Sequence, residues 1–145
     1  MISFETVRAD DAALLFKFVN APDSLKWKLR TTKPVSWNEH VKWLDSRLKD
    51  PDCTMWIIVV DGVKVGQIRL EKVSSAVEVD VYVARELRKK NIASYALSYA
   101  VDYARSQWAE ISLTAHVKTN NDASLRLFSK AGFRIDRKTK FAIKL

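Results

Sequence analysis

The stretch "RELRKKNIASYAL", residues 85–97, has residue types and spacing suited to holding an anionic ligand. Arg85, Arg88, Lys89 and Lys90 make a basic turn. Asn91, Ile92, Ala93 and Ser94 lead from it into a helical pattern that carries no charge before Asp102. A helix N-terminus offers unpaired N–H groups and a partial positive charge, which together favour phosphate. Small or permissive residues let the main chain come close to such a ligand. "RKKNIAS" therefore reads as a pyrophosphate cradle or, with equal weight on its own, as a basic surface turn entering an ordinary helix. It is not a P-loop, lacking the spaced glycines and the Gly-Lys-Ser/Thr ending.

The elements around it must position it. Residues 2–8 alternate loosely as a strand. Residues 9–20 follow as a helix with acids in the first turn and an apolar face of Leu14, Leu15, Phe18 and Val19. Pro22 and Pro34 bracket an irregular basic stretch containing Trp27. Residues 36–50 open with Ser36 three positions before Glu39, a capping box, and place Val41, Leu44 and Leu48 at helical spacing. The Asp61-Gly62 dipeptide between "TMWIIVV" and "VKVGQIRLE" predicts a hairpin. In 76–83, Val77, Val79, Val81 and Val83 alternate with Glu78, Asp80 and Tyr82, a strand pattern. Residues 92–107 predict a helix with Ile92, Ala96, Tyr99, Ala100 and Tyr103 on one side. Residues 111–117 alternate as a strand, 122–132 form a short helix ended by Gly132, and "FRIDR" with "KFAIKL" closes as a strand pair. The order β-α-α-β-β-β-α-β-α-β-β implies a mixed α/β sheet with helices covering its faces.

At 145 residues with 48% apolar and 29% charged residues, the chain reads as one globular domain over 1–145. The longest apolar run, "MWIIVV", is too short to span a bilayer. The acidic N-terminal segment shows no export pattern, so a cytoplasmic location and no membrane partner are expected. A single Cys53 excludes an internal disulfide and a cysteine metal cluster, and no metal is expected. The net charge of +8 favours anionic partners: nucleic acid, a phosphorylated cofactor or an acidic surface.

The strand–turn–helix "VYVARELRKKNIASYAL" resembles motif A of the GNAT superfamily of N-acetyltransferases, in which Arg/Gln-x-x-Gly-x-Gly/Ala joins a strand to a helix. Downstream, "VKTNNDASLRLFSKAGF" resembles the family's second block, with Val117, Asn121, Ser124, Leu127, Lys130, Gly132 and Phe133 in place. The element order is also the family's, so the resemblance covers essentially the whole chain. Two positions depart from it. Asn91 replaces the first motif glycine, and asparagine tolerates positive φ well. Phe128 stands on the coenzyme groove where many members carry a tyrosine thought to protonate the departing thiolate.

The resemblance implies direct transfer of an acyl group from acetyl-CoA to an amine. It implies that Val83 main-chain groups pair with the pantetheine arm. Amides of Arg88, Lys89, Lys90, Asn91, Ile92, Ala93 and Ser94 would wrap the pyrophosphate, and Asn121 and Ser124 would line the same groove. The Val81 amide holds the family's position for the thioester carbonyl, which gains negative charge in the reaction. An ammonium must also lose a proton before it attacks. His116 is the first choice of base, because it precedes Val117 where the N-terminal-alanine acetyltransferases of ribosomal proteins carry a catalytic Glu, and histidine titrates near ~6.5. Its plain reading is a strand histidine with an ordinary polar contact. Glu78 and Asp80, acting through water, are the alternatives, or are solvated strand residues.

On the acceptor side, Arg30, Ser36, His40, Trp43, Gly66, Ile68 and Arg69 resemble a GNAT branch that acylates nucleotide-linked amino sugars. Trp27, Arg30, His40, Trp43 and Arg69 are then the substrate residues, arginine suiting phosphate and tryptophan suiting a sugar or base. Tryptophans at such spacing also simply pack a helix. The favoured reading is acetyl transfer to a small-molecule amine or amino sugar. The alternatives are acetylation of a protein N-terminus or lysine, and a basic nucleic-acid-binding module; the absence of a nucleic-acid motif argues against the last. The final strands lie where this family often forms dimer contacts, so a homodimer is compatible with the resemblance.

Overall fold

The computed structural model describes residues 1–27, 33–88, 91–108, 110–118, 120–136 and 141–144. In chain order its elements are β1 (Ile2–Thr6), α1 (Ala12–Val19), α2 (Pro22–Lys26), α3 (Trp37–Lys49), β2 (Cys53–Val60), β3 (Val63–Val73), β4 (Ala76–Val83), α4 (Ile92–Gln107), β5 (Ser112–His116), α5 (Asp122–Lys130), β6 (Phe133–Asp136) and β7 (Phe141–Lys144). The seven strands form one mixed sheet in the order β1-β2-β3-β4-β5-β7-β6. Every neighbouring pair is antiparallel except β4 with β5.

Local chemistry sets these elements. Asp61 and Gly62 both adopt positive φ (49° and 80°), as a two-residue hairpin turn of this hand requires. Ser36 caps α3: its hydroxyl oxygen accepts from the Glu39 N–H at 3.2 Å and its hydroxyl donates to the Glu39 carboxylate at 3.0 Å. Pro22 starts α2, where the missing N–H would have had no helical partner. The stretch after Pro22, expected to be irregular, thus begins as a five-residue helix. Gly66 faces Val83 across the β3–β4 ladder, and a Cβ there would collide with the Tyr82 carbonyl oxygen.

The core lies on both faces of the sheet. One face packs Ile68, Leu70, Val77, Val79, Val83, Leu113 and Ala115 under α4 and α5. The alanines of α4 (Ala96, Ala100, Ala104) recur every fourth residue and are fully buried, which lets the helix lie close on the strands. On the other face, Leu15, Phe18 and Leu44 of α1 and α3 cover Met55, Ile57 and Val59 of β2.

Two helix faces differ from expectation. On α3, His40 and Leu44 are buried while Val41 and Leu48 are exposed, because the His40 ring bonds to the Ala12 carbonyl at 3.0 Å and fixes the helix's rotation. On α4, Tyr99 stays 40% exposed and stacks on Phe4 at 4.2 Å, while Leu97 and Val101 take the buried places. Among the described residues no helix is long and apolar enough to cross a membrane.

Candidate active site

The parallel ladder between β4 and β5 is short. Ala76, Val77 and Glu78 pair with Ser112, Leu113 and Thr114, and there the pairing stops. Further along, β4 keeps β3 as its partner as far as Val83, and β5 pairs with β7 through His116. A wedge therefore opens between the C-terminal ends of the two central strands, where open α/β sheets commonly take ligands. The Ala84 N–H donates to the Val65 carbonyl at 2.8 Å. By the alternation of an antiparallel ladder, even-numbered residues of β4 then bond toward β3, and the N–H and C=O of Val81 and Val83 turn toward the wedge.

Beyond β4 a 3-10 turn, Arg85–Leu87, leads to the N-terminus of α4. Asn91 is the residue before the helix and adopts the left-handed conformation, φ 59°, which a β-branched residue would resist. No side chain among the described residues caps this end, so the first-turn amides of Ile92, Ala93 and Ser94 lack intrahelical partners and are the donors a phosphate would meet. The Ile92 side chain is in the core, so only its amide can serve. Lys89 and Lys90 lie outside the described residues.

The Arg88 side chain turns back onto β4 and α2. Its Nε donates to the Val83 carbonyl at 2.9 Å, its guanidinium lies over the Tyr82 ring at 5.5 Å, and a terminal nitrogen pairs with Asp23 of α2. The guanidinium thus ties the turn to α2, and it occupies one of the two lone pairs of the Val83 carbonyl. The Lys118 ammonium donates to the Lys26 carbonyl at 2.7 Å, tethering α2 to the segment after β5 as well. Tyr82 donates to Asp23 at 3.3 Å. Burial, with the nearby Asp23 charge, pushes its phenol above the ordinary range, so it stays protonated and offers no base.

The even-numbered residues of β4 share the sheet face that carries α1 and α3. Here the structure joins two residues the sequence offered as alternatives: the His116 Nε2 lies 2.7 Å from the Glu78 Oε1. Both side chains are about one-quarter exposed, at 25% and 24%, so the pair is shielded yet reachable. Asp80 accepts from Gln67 Nε2 at 2.8 Å.

Several expected site residues make contacts within the protein. Asn121 is buried and caps α5, its side-chain oxygen accepting from the Ser124 N–H at 3.2 Å. Phe128 is buried in an edge-on contact with Phe133 at 5.0 Å, so no hydroxyl stands there to protonate a leaving group. His40, only 3% exposed, sits among Phe16, Trp37 and Trp43 and joins α1 to α3 through the Ala12 carbonyl. Trp27 ends α2 with the Lys26 ammonium 4.8 Å over its ring. Trp43 and Arg69 do come together, the guanidinium 5.1 Å from the ring centroid. Arg47 approaches the same ring and bonds Glu71 at 3.1 Å. Arg30 lies outside the described residues.

The sequence profile of the acetyltransferase (GNAT) family matches residues 23–133, which span the wedge, the turn and α4. The chain belongs to that family. It is accordingly an acetyl-CoA-dependent N-acetyltransferase. Solved structures agree in fold. A domain from Methanocaldococcus jannaschii superposes with a TM-score of 0.84 at 20% identity, over 99% of this chain and 96% of that one. A GNAT-family acetyltransferase from Streptococcus pneumoniae gives 0.78 at 16%, over 99% and 96%. The spermidine N-acetyltransferase of Vibrio cholerae, solved with CoA and spermine, gives 0.82 at 14%, over 99% and 92%. No curated protein matches the chain.

Gln67, Asp23 and Arg47 carry contacts near the site that no sequence motif marks. Gln67 had one visible signal, a polar residue inside the apolar run of β3. Its partner Asp80 could not be inferred without the β3–β4 register. Nothing local marks Asp23 or Arg47, since acids early in a helix and arginines late in one are ordinary.

Proposed function

We propose that this GNAT-family enzyme acetylates a primary amine of a small molecule, with His116 taking the amine's proton and Glu78 orienting its ring. The observation that carries this reading is the His116–Glu78 contact of 2.7 Å on the face where the wedge opens. Acetyl-CoA supplies an acyl group already activated as a thioester. The amides of Ile92, Ala93 and Ser94 are suited to its pyrophosphate and the Val81 N–H to its carbonyl oxygen, which gains negative charge as the amine attacks. The new N–C bond forms, the C–S bond breaks, the sulfur leaves as a thiolate, and the amine's proton goes to His116. Thiols titrate near ~8.5, so a thiolate can leave without the acid that Phe128 fails to provide. The relative from Vibrio cholerae, solved with spermine, supports a small-molecule amine as acceptor.

The test is amine-dependent thiol release from acetyl-CoA over a panel of primary amines. Activity is expected in the wild type. His116→Ala should lower turnover at neutral pH by about 10²–10⁴-fold, the range for a positioned base, with little change in acetyl-CoA affinity. The deficit should shrink at high pH as free amine becomes abundant. A small, pH-independent loss would return His116 to a packing role.

A further inference from the structure

We infer that Asp80 and Gln67 anchor a second, charged nitrogen of the acceptor, which makes the acceptor an aliphatic diamine. The inference rests on the acetyl-transfer reading for the word acceptor, while the cation site stands on its own geometry. Asp80 is exposed on β4, and among the described residues its hydrogen bond comes from the neutral Gln67 carboxamide, 2.8 Å away. The residue directly across the ladder is Arg69, the obvious counter-charge. Its guanidinium is turned instead to Trp43 at 5.1 Å and toward Glu71 at 3.9 Å. Among the described residues no cation pairs with Asp80.

Gln67 supplies the second, independent observation. It is 7% exposed, and its Oε1 is buried without a hydrogen-bond partner among the described residues. The assignment of that oxygen follows from chemistry, because only the NH₂ end of the carboxamide can donate to a carboxylate. A buried acceptor left unpaired is rare and calls for a reason. Side by side, then, among the described residues, stand a carboxylate without a cation and a carbonyl without a donor. An ammonium satisfies both, with charge for one and N–H for the other.

That ammonium is not the nucleophile. The reacting amine must lose its proton before it attacks, whereas a carboxylate favours the charged form. His116 with Glu78 therefore serves the reacting nitrogen, and Asp80 with Gln67 holds the other. Glu78 and Asp80 are two strand residues apart, a rise of about 6.6 Å, a separation that a chain of a few methylenes spans.

Calorimetric titration of the full chain with 1,4-diaminobutane, 1,5-diaminopentane and butylamine tests the site, with thiol release measured on the same amines. The diamines should bind the wild type about ten-fold or more tighter than butylamine, the size expected of a charge-assisted contact. Asp80→Asn should collapse that preference, and Gln67→Met should weaken it. Equal binding of all three amines, or an undiminished preference in Asp80→Asn, overturns the diamine site. Thiol release that shows no diamine preference overturns the site and leaves acetyl transfer standing. A diamine preference in binding that Asp80→Asn abolishes, with no thiol release from any amine, upholds the site and overturns the transfer reading.

Discussion

At the scale of single residues, two strand side chains that alternation alone leaves as ordinary polar residues become a unit. Glu78 and His116 sit on different strands, and only the parallel register that sets Glu78 beside Thr114 brings the ring within hydrogen-bond distance. Cys53 shows the opposite case, a reactive residue type made inert. Burial pushes its thiol from an ordinary 9.0 up to about 11, outweighing the opposing pull of Arg69. Between those values the folded chain holds a proton that the unfolded chain releases, so stability must fall as pH rises through that window. After discounting for its partial exposure, about 1–2 kcal/mol is expected to be lost between pH 9 and 11. Urea denaturation of wild type and Cys53→Ala at pH 8 and pH ~11 checks it: the alkaline loss should be smaller in the variant by that amount. His116 was legible as a candidate because it directly precedes Val117, where a related GNAT branch carries a catalytic carboxylate. Its partner was not, because no local pattern encodes contact between strands separated by a whole helix.

At the scale of elements, the N-terminus of α4 carries the sharpest expectation. The helix bounds 92–107 follow from its apolar periodicity, and the left-handed Asn91 follows from the motif's missing glycine. Ala93→Asp places a carboxylate among the first-turn amides and should abolish acetyl-CoA binding while leaving the far-UV circular dichroism unchanged. Asn91→Gly should bind normally, and Asn91→Val should destabilise the fold by about 1–2 kcal/mol, the cost of a left-handed residue with a branched side chain. Calorimetric titration with acetyl-CoA and urea unfolding separate these outcomes. Elements governed by local chemistry, such as the Asp61-Gly62 hairpin and the strand 76–83, could be read directly. Helix orientation could not: Val41 and Leu48 have the right spacing for a core face, yet one hydrogen bond from His40 turns them outward. The short α2 was equally opaque, because a proline reads the same whether it breaks a chain or begins a helix.

At the scale of the whole molecule, the chain's net charge of +8 fits a phosphorylated coenzyme, while the β4 face toward α1 and α3 gathers Glu78 and Asp80. The order of elements was readable from the sequence, but the place where β4 and β5 part was not, since it depends on long-range pairing. That three-residue ladder makes the sheet mechanically unequal. The block β1–β4 is stitched by long antiparallel ladders of up to eight residue pairs. The block β5–β7 joins it through a narrow seam and the packing of α4, and each hydrogen bond in that seam adds only about 0.5–1.5 kcal/mol. Amide hydrogen exchange should therefore find two cooperative units, with β5–β7 opening at lower free energy than β2–β3. A coenzyme lodged in the wedge would act as a suture across the seam. Saturating acetyl-CoA is expected to slow exchange in β5 well beyond its effect on β2, and equal protection of both strands would show that the ligand does not bridge them.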